Sequence, residues 1–313
     1  MTLNSLEISL SVLVGSLLVD FLFGEPRSYI HPNTVIRKIG TYFDQFFRVW
    51  KNKAAAGFLY IAFLSALCLI PVLAVLRVLS YFSVIYVVAA IIVLKSTFSI
   101  TVMGEDIRPI IRSLDDGSLD ESRMYLSRLV RRDTSNLKES DVASTTIEYI
   151  SNGLVNDVLT PLMFFAIFGV IGALFTRVVN VLDNLVGFKS KRNREFGKWT
   201  AITKTLVNYI PARIGSFIIF FSSEMLNYRV QGVSSRKVAW MVDSANNGWP
   251  IGAYSSALNL RIEKKGSYII NETGYEATSG DIKRALRIYY LSFYVFLIIF
   301  VVPVMVLLYL AHI

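Results

Sequence analysis

Four apolar stretches set the limits on what this chain can become. They run from about Ile8 to Phe23, Ala54 to Leu76, Val78 to Leu94 and Tyr290 to Leu310. A helix needs roughly 17–25 apolar residues to cross the hydrocarbon core of a bilayer. Inside lipid the backbone has to bond to itself, so a helix is the economical spanning form for isolated segments like these. The expected fold class is therefore all-α: a polytopic integral membrane helical bundle, a single domain over residues 1–313, with polar loops facing the cytoplasm. The first stretch does not read as a cleavable signal. It lacks a basic leader and a small-residue cleavage site, and it ends in Asp20 and the turn Gly24-Glu25-Pro26.

Composition agrees. Hydrophobic residues are 54% of the 313 and charged residues 18%, with a mean hydropathy of +0.51. Soluble domains carry about a quarter charged residues, so the composition argues against a wholly soluble fold and excludes disorder. The net charge of +9 suits either the cytoplasmic flank of a membrane protein or an anionic ligand. No nucleic-acid-binding module is present. The lone Cys68 excludes an intrachain disulfide and a multi-cysteine zinc site. His31 and His312 are far apart in sequence, so any divalent ion would rest on oxygen ligands, as magnesium does.

Two more stretches fit less simply. Val158–Phe175 is long enough to cross, whereas Leu206–Ser222 carries Pro211 and Arg213, both costly inside a bilayer. The segments Pro26–Lys53, Arg108–Lys138, Lys189–Lys204 and Arg229–Arg287 are all basic. Keeping all four on the cytoplasmic side requires that neither of these two stretches crosses fully, which leaves four spans with a tight hairpin between the second and third. The segment 104–157 reads as an amphipathic cytoplasmic helical region, with Leu126, Leu129 and Val130 on one face. Asn136 and Glu139 resemble a capping pair for a helix reaching about Ile150. There is neither a GxGxxG nor a GxxxxGK[ST] phosphate loop.

Polar groups beside apolar runs are the informative ones, because burying them unpaired is expensive. Asp20 can be an interfacial carboxylate, a partner for a basic residue, or a functional group. Asn180, Asp183 and Asn184 lie at helical spacing with Arg177 one turn earlier. They form either an internal Arg–Asp pair or a substrate or ion site. Arg213 calls for a carboxylate or phosphate, with Asp183 or an anionic ligand as its partner. Trp249, in the turn Asn246-Asn247-Gly248-Trp249-Pro250, is an interface anchor or a stacking surface for a planar ligand.

Taken together these motifs resemble one family. Asp20 to Pro26 followed by His31-Pro32 is similar to its N-terminal signature, and Leu129 to Leu137 resembles its central RDTS stretch. Asn180 to Lys189, Asn208 to Arg213, Asn246 to Pro250 and Asp281 to Arg287 resemble four further motifs in the same order. The family is the membrane-bound adenosylcobinamide-phosphate synthase of cobalamin biosynthesis. The resemblance implies ATP-dependent amide formation between an aminopropanol phosphate and a corrin propionate of adenosylcobyric acid, with Mg²⁺ held by carboxylates. It implies catalytic roles for Asp133, Asp183 and Arg213, and substrate contacts at Asp20, His31, Thr134, Ser135, Asn180, Lys189, Asn208, Asn246 and Trp249. Asp183, Asp157 and Glu148 would serve the metal. The expected partners are a corrinoid, the lipid bilayer and other proteins of the pathway or a second copy, with no nucleic acid, and the expected location is the cell membrane.

The chain also departs from that pattern, mostly in one direction. Asn152 and Asn156 stand where the family has Glu and Asp, Lys204 and Thr205 where it has an Asp pair, and Ile251 where it has Glu. Arg131 replaces a glycine. Losing carboxylates removes ligands for a hard cation, and a lysine repels one. A non-catalytic paralogue that binds a corrinoid or acts as a scaffold or regulator is therefore the alternative, together with an enzyme for another anionic substrate.

Overall fold

The computed structural model describes residues 5–25, 32–187, 193–228, 235–242 and 244–311. The chain begins with α1 (Ser5–Phe23), α2 (Pro32–Arg48), α3 (Lys53–Leu79) and α4 (Ser83–Lys95). Then come α5 (Thr101–Asp115), α6 (Leu119–Leu129), α7 (Glu139–Gly153), a π-helical turn over Leu154–Leu159, and α8 (Thr160–Val186). After α9 (Lys198–Val207) and α10 (Tyr209–Met225) lie α11 (Ser235–Ala239) and α12 (Gly248–Leu258). A small hairpin, β1 (Ile262–Lys264) and β2 (Tyr268–Ile270), precedes α13 (Ser279–Phe296), a second π-helical turn over Leu297–Val301, and α14 (Val302–Leu310). The fold is all-α apart from that hairpin.

Among the described residues four helical stretches are long and apolar enough to cross a membrane: Ser5–Phe23, Lys53–Leu79, part of Glu139–Val186 and part of Ser279–Leu310. α9 and α10 reach that length only as a pair bent by 44°, a broken span or a re-entrant loop. The expected third span is corrected. α3 continues to Leu79, a turn follows, and α4 has only 13 residues, about 20 Å at the helical rise. Val158–Phe175, expected to be re-entrant or buried, is mostly buried and lies within one of the long apolar stretches. The basic Pro26–Lys53 loop contains a full helix, α2.

The chain divides into two compact units. The first comprises residues 1–99, 160–207 and 300–313. Its core gathers Tyr60 and Leu64 of α3, Val178 and Leu182 of α8, Ile36 of α2, and Phe196. The seam is tight at Gly57, where a Cβ would lie 1.9 Å from the Phe196 carbonyl oxygen. Asn52 caps α3, its Oδ1 accepting from the Ala55 N–H at 3.0 Å. α8 is broken at Gly169, whose φ of 66° and ψ of −163° lie outside the helical region, a conformation that glycine adopts without strain.

The second unit comprises residues 100–159 and 208–299. α12 is its most enclosed helix, buried from Gly248 to Leu258 except at Trp249. The core continues through Ile107, Ile110, Leu126, Ile147, Ile150, Ile282 and Phe293. α7 is not capped by Asn136 and Glu139. The boundary lies two residues later, where the Lys138 N–H donates to Asp141 Oδ2 at 3.0 Å. Asp141 is the residue three positions on that can reach back to this freed donor. In the hairpin Ile262 pairs with Ile270 and Lys264 with Tyr268.

Candidate functional site

Within the first unit, Asp20, Arg177 and Asp183 each sit in a bonded group. Lys95, near the C-terminus of α4, is buried, with its Nζ 2.8 Å from Asp20 Oδ1 and 3.1 Å from Glu25 Oε1. Asp20 is fully buried on α1. A buried charge needs a partner, and Lys95 supplies it. Sequence reasoning passed over Lys95, because its spacing from Asp20 carries no periodic signal. Arg177 of α8 donates through Nε to Asn33 Oδ1 at 2.6 Å. The expected Arg177–Asp183 pair is thus replaced: Asp183 Oδ2 lies 3.0 Å from Lys204 Nζ of α9. Asn180 lies on α8 between these two residues and is partly buried. His31 and Lys189 lie outside the described residues.

In the second unit, Arg213 is the most elaborately held cation. Its guanidinium carbon sits 3.4 Å from the Tyr209 ring centre and 4.9 Å from that of Trp249. Its Nη1 donates to the Tyr209 carbonyl at 2.6 Å and to Asn246 Oδ1 at 3.4 Å. Two aromatic faces and two acceptors fix its orientation without a carboxylate. Asp183, one of the two partners expected for Arg213, is bonded to Lys204. The Trp249 carbonyl accepts from Ser216 Oγ at 3.2 Å, tying α12 to α10. Gly248 lets α11 close on α12, since a Cβ there would meet Ala239 Cα at 2.6 Å. Asn208 is buried just before α10, its carbonyl accepting from the Ala212 N–H at 3.0 Å.

The loop from Arg132 to Leu137 is shaped by its own side chains. Asp133 Oδ1 accepts from the Ser135 N–H at 2.9 Å and from Ser135 Oγ at 2.7 Å. These bonds favour the ionised carboxylate and hold Asp133 below its ordinary pKa, the backbone bond foremost. Thr134 is buried and donates to the Arg123 carbonyl at 3.0 Å. A hollow of about 310 Å³ lies beside this loop, lined by Arg132, Asp133 and Asn136 and by Glu263, Lys264 and Lys265 of the hairpin. The hairpin residues were not found from sequence, because a short hairpin after a polar turn has no motif. Lys265 is tied to Asp141 at 2.7 Å.

The carboxylates expected to bind metal are engaged otherwise. Glu148 is ion-paired with Arg132, and Asp183 with Lys204. Asp157 lies in the π-helical turn before α8. Among the described residues no three His, Cys, Asp or Glu side chains group so as to hold a metal ion. A hard divalent cation wants several oxygens free of competing cations, so the described residues do not fit a carboxylate-bound magnesium.

The CobD/Cbib protein family matches residues 13–289. The chain is 45% identical to the "Probable cobalamin biosynthesis protein CobD" of Thermoplasma volcanium over 295 residues, covering 94% of this chain and 97% of that one. The protein of the same name from Thermoplasma acidophilum is 43% identical over 94% of this chain and 97% of its own length. The "Cobalamin biosynthesis protein CobD" of Dehalococcoides mccartyi is 30% identical, covering 84% and 87%. No solved structure matches the chain significantly.

Proposed function

The chain belongs to the CobD/Cbib protein family, and on that premise we propose that it is a membrane-bound carbon–nitrogen ligase of cobalamin biosynthesis. It attaches aminopropanol, or its phosphate, to a propionate of adenosylcobyric acid. The observation that carries this reading is similarity along nearly the whole chain to proteins named for cobalamin biosynthesis. The Arg213 cluster supports it in detail. A partly buried guanidinium beside two rings and held by two acceptors is prepared for a carboxylate or phosphate.

ATP would supply the leaving group that turns a propionate carboxylate into an acyl donor. The amine nitrogen then forms the C–N bond as the C–O bond to phosphate breaks, and an amine proton passes to a base. Arg213 orients the anionic group, Trp249 offers a flat apolar face to the corrin edge, and Asp133, ionised at neutral pH, is a candidate acceptor for the ammonium. No step is assigned to magnesium, since Glu148 and Asp183 are paired with cations and no three acidic or other metal-ligating side chains group among the described residues.

The second reading is a non-catalytic corrinoid-binding paralogue. The observation in its favour is Lys204 on Asp183, a cation where the family has an acid. Complementation of a synthase-deficient strain, with adenosylcobyric acid binding measured in parallel, separates the two. Growth supports the ligase. Binding without growth supports the paralogue, and absence of both points to another anionic substrate.

A further inference from the structure

Helix α2 divides its circumference into three sectors. Ile36, Gly40, Phe43 and Phe47 face the core of the first unit, packing with Tyr60 and Leu182. Val35, Tyr42, Phe46 and, just past the helix, Val49 follow one another at seven, four and three residues on the adjoining side, and all four are exposed. Arg37, Thr41 and Gln45 form the third sector, with Lys38 at its border, and these are exposed too. A soluble surface helix needs one apolar stripe, for its core. α2 has two, and the second is exposed.

The second stripe opens onto a groove of about 430 Å³ lined by Tyr42, Phe43, Phe46, Phe47, Trp50 and Phe63. Its rings touch in sequence: Tyr42 and Phe46 have centroids 5.4 Å apart, Phe43 and Phe63 5.0 Å, and Phe47 stacks on Trp50 at 6.3 Å. Basic charge lies in the third sector, at its border with the exposed stripe, and just past the end of the helix. Among the described residues Arg37, Lys38 and Lys51 enter no ion pair, while the acidic residue of the helix, Asp44, is held by Arg48 at 2.6 Å.

Chain continuity says where this surface lies. α1 and α3 are both long and apolar enough to cross a membrane, and α2 joins the end of one to the start of the other. α2 is too polar to cross between them, so it rests at the bilayer surface where α1 ends and α3 begins. Trp and Tyr favour that headgroup depth.

We propose that α2 is a phospholipid-binding helix, which seats an acyl chain of the adjacent leaflet in its aromatic groove and holds an anionic headgroup with Arg37, Lys38 and Lys51. Juxtamembrane basic residues prefer anionic over zwitterionic lipid through Coulomb attraction. This preference does not depend on the ligase reading.

The test uses full-length protein in nanodiscs of phosphatidylcholine with or without phosphatidylglycerol. Trp199→Phe, Trp240→Phe and Trp249→Phe leave Trp50 as the fluorophore. Lipids brominated in the upper acyl chain should quench Trp50, at least about twofold more when the brominated lipid is phosphatidylglycerol. Arg37→Gln, Lys38→Gln and Lys51→Gln together should abolish that difference. Equal quenching by both lipids, or none, overturns the proposal. A photo-crosslinker at position 46 in otherwise unaltered protein gives a second readout. Phospholipid adducts support the inference, and adducts with protein alone overturn it.

Discussion

The Lys204 ammonium lies 3.0 Å from the Asp183 carboxylate, with both side chains largely buried. The pair puts a fixed positive charge where a divalent cation would otherwise gather acids. Magnesium should therefore leave the melting temperature of the native protein unchanged. In Lys204→Glu, two carboxylates would face each other across that gap. The variant should lose on the order of 1 kcal/mol without metal and regain it with millimolar Mg²⁺. Calorimetric or fluorescence melting with and without the ion reads both effects. Magnesium stabilisation of the unaltered protein would contradict the assignment.

Lys95 should dominate the stability of the first unit among single charged residues. Replacing it with Met leaves Asp20 buried without its ammonium, a loss of about 3–5 kcal/mol. Lys95→Met combined with Asp20→Asn removes both charges and should recover much of that. Denaturant unfolding of the single and double variants in the same detergent measures the coupling. Simple additivity would show that the two residues act independently.

Arg213 distinguishes a positioned guanidinium from a mere positive charge. Arg213→Lys retains the charge but loses planar stacking on Tyr209 and Trp249 and the forked donor geometry. The proposed ligase activity should fall by roughly 10²-fold in kcat/KM for both Arg213→Ala and Arg213→Lys. If lysine restores activity nearly fully, the aromatic sandwich has no catalytic meaning. Steady-state kinetics with the corrinoid varied supplies the comparison.

Asp133 gives a signed pH prediction. Its folded pKa is lowered by the two Ser135 bonds, so its contribution to stability is present above the ordinary carboxylate range. That contribution is lost as pH falls through the lowered folded value. Ser135→Ala removes the hydroxyl bond and keeps the backbone one. Asp133 should then titrate higher, nearer the usual range, as read by carboxyl carbon NMR. An unchanged titration would show that the hydroxyl does not hold the loop.

Much of this fold was readable from apolar segment length, since a bilayer-length run such as Ala54–Leu76 has few alternatives to a helix. Family order in the motifs carried the functional reading. What escaped were relationships set by tertiary neighbours. Helical spacing offers Asp183 as one partner for Arg177, yet Arg177 binds Asn33, which lies 144 positions away. Lys95 looked like the end of an apolar run, and only the packing of α1 against α4 shows its partners. The stretch Val78–Leu94 was read as continuous, because its hydropathy does not register the turn after Leu79. α2 was hidden inside a basic loop, since its two apolar stripes average out against its charges. His31 and Lys189 lie outside the described residues, so their expected roles rest on the sequence alone.

Gly169 has a consequence for how solvent meets the bundle. Departure from helical geometry there frees backbone groups in the middle of an apolar helix, and hydrocarbon offers them no hydrogen bonds. Hollows of about 180 and 420 Å³ adjoin the break, room enough for hydration. Water admitted at that level should let amide deuteration enter α8 near Gly169 as well as from its ends.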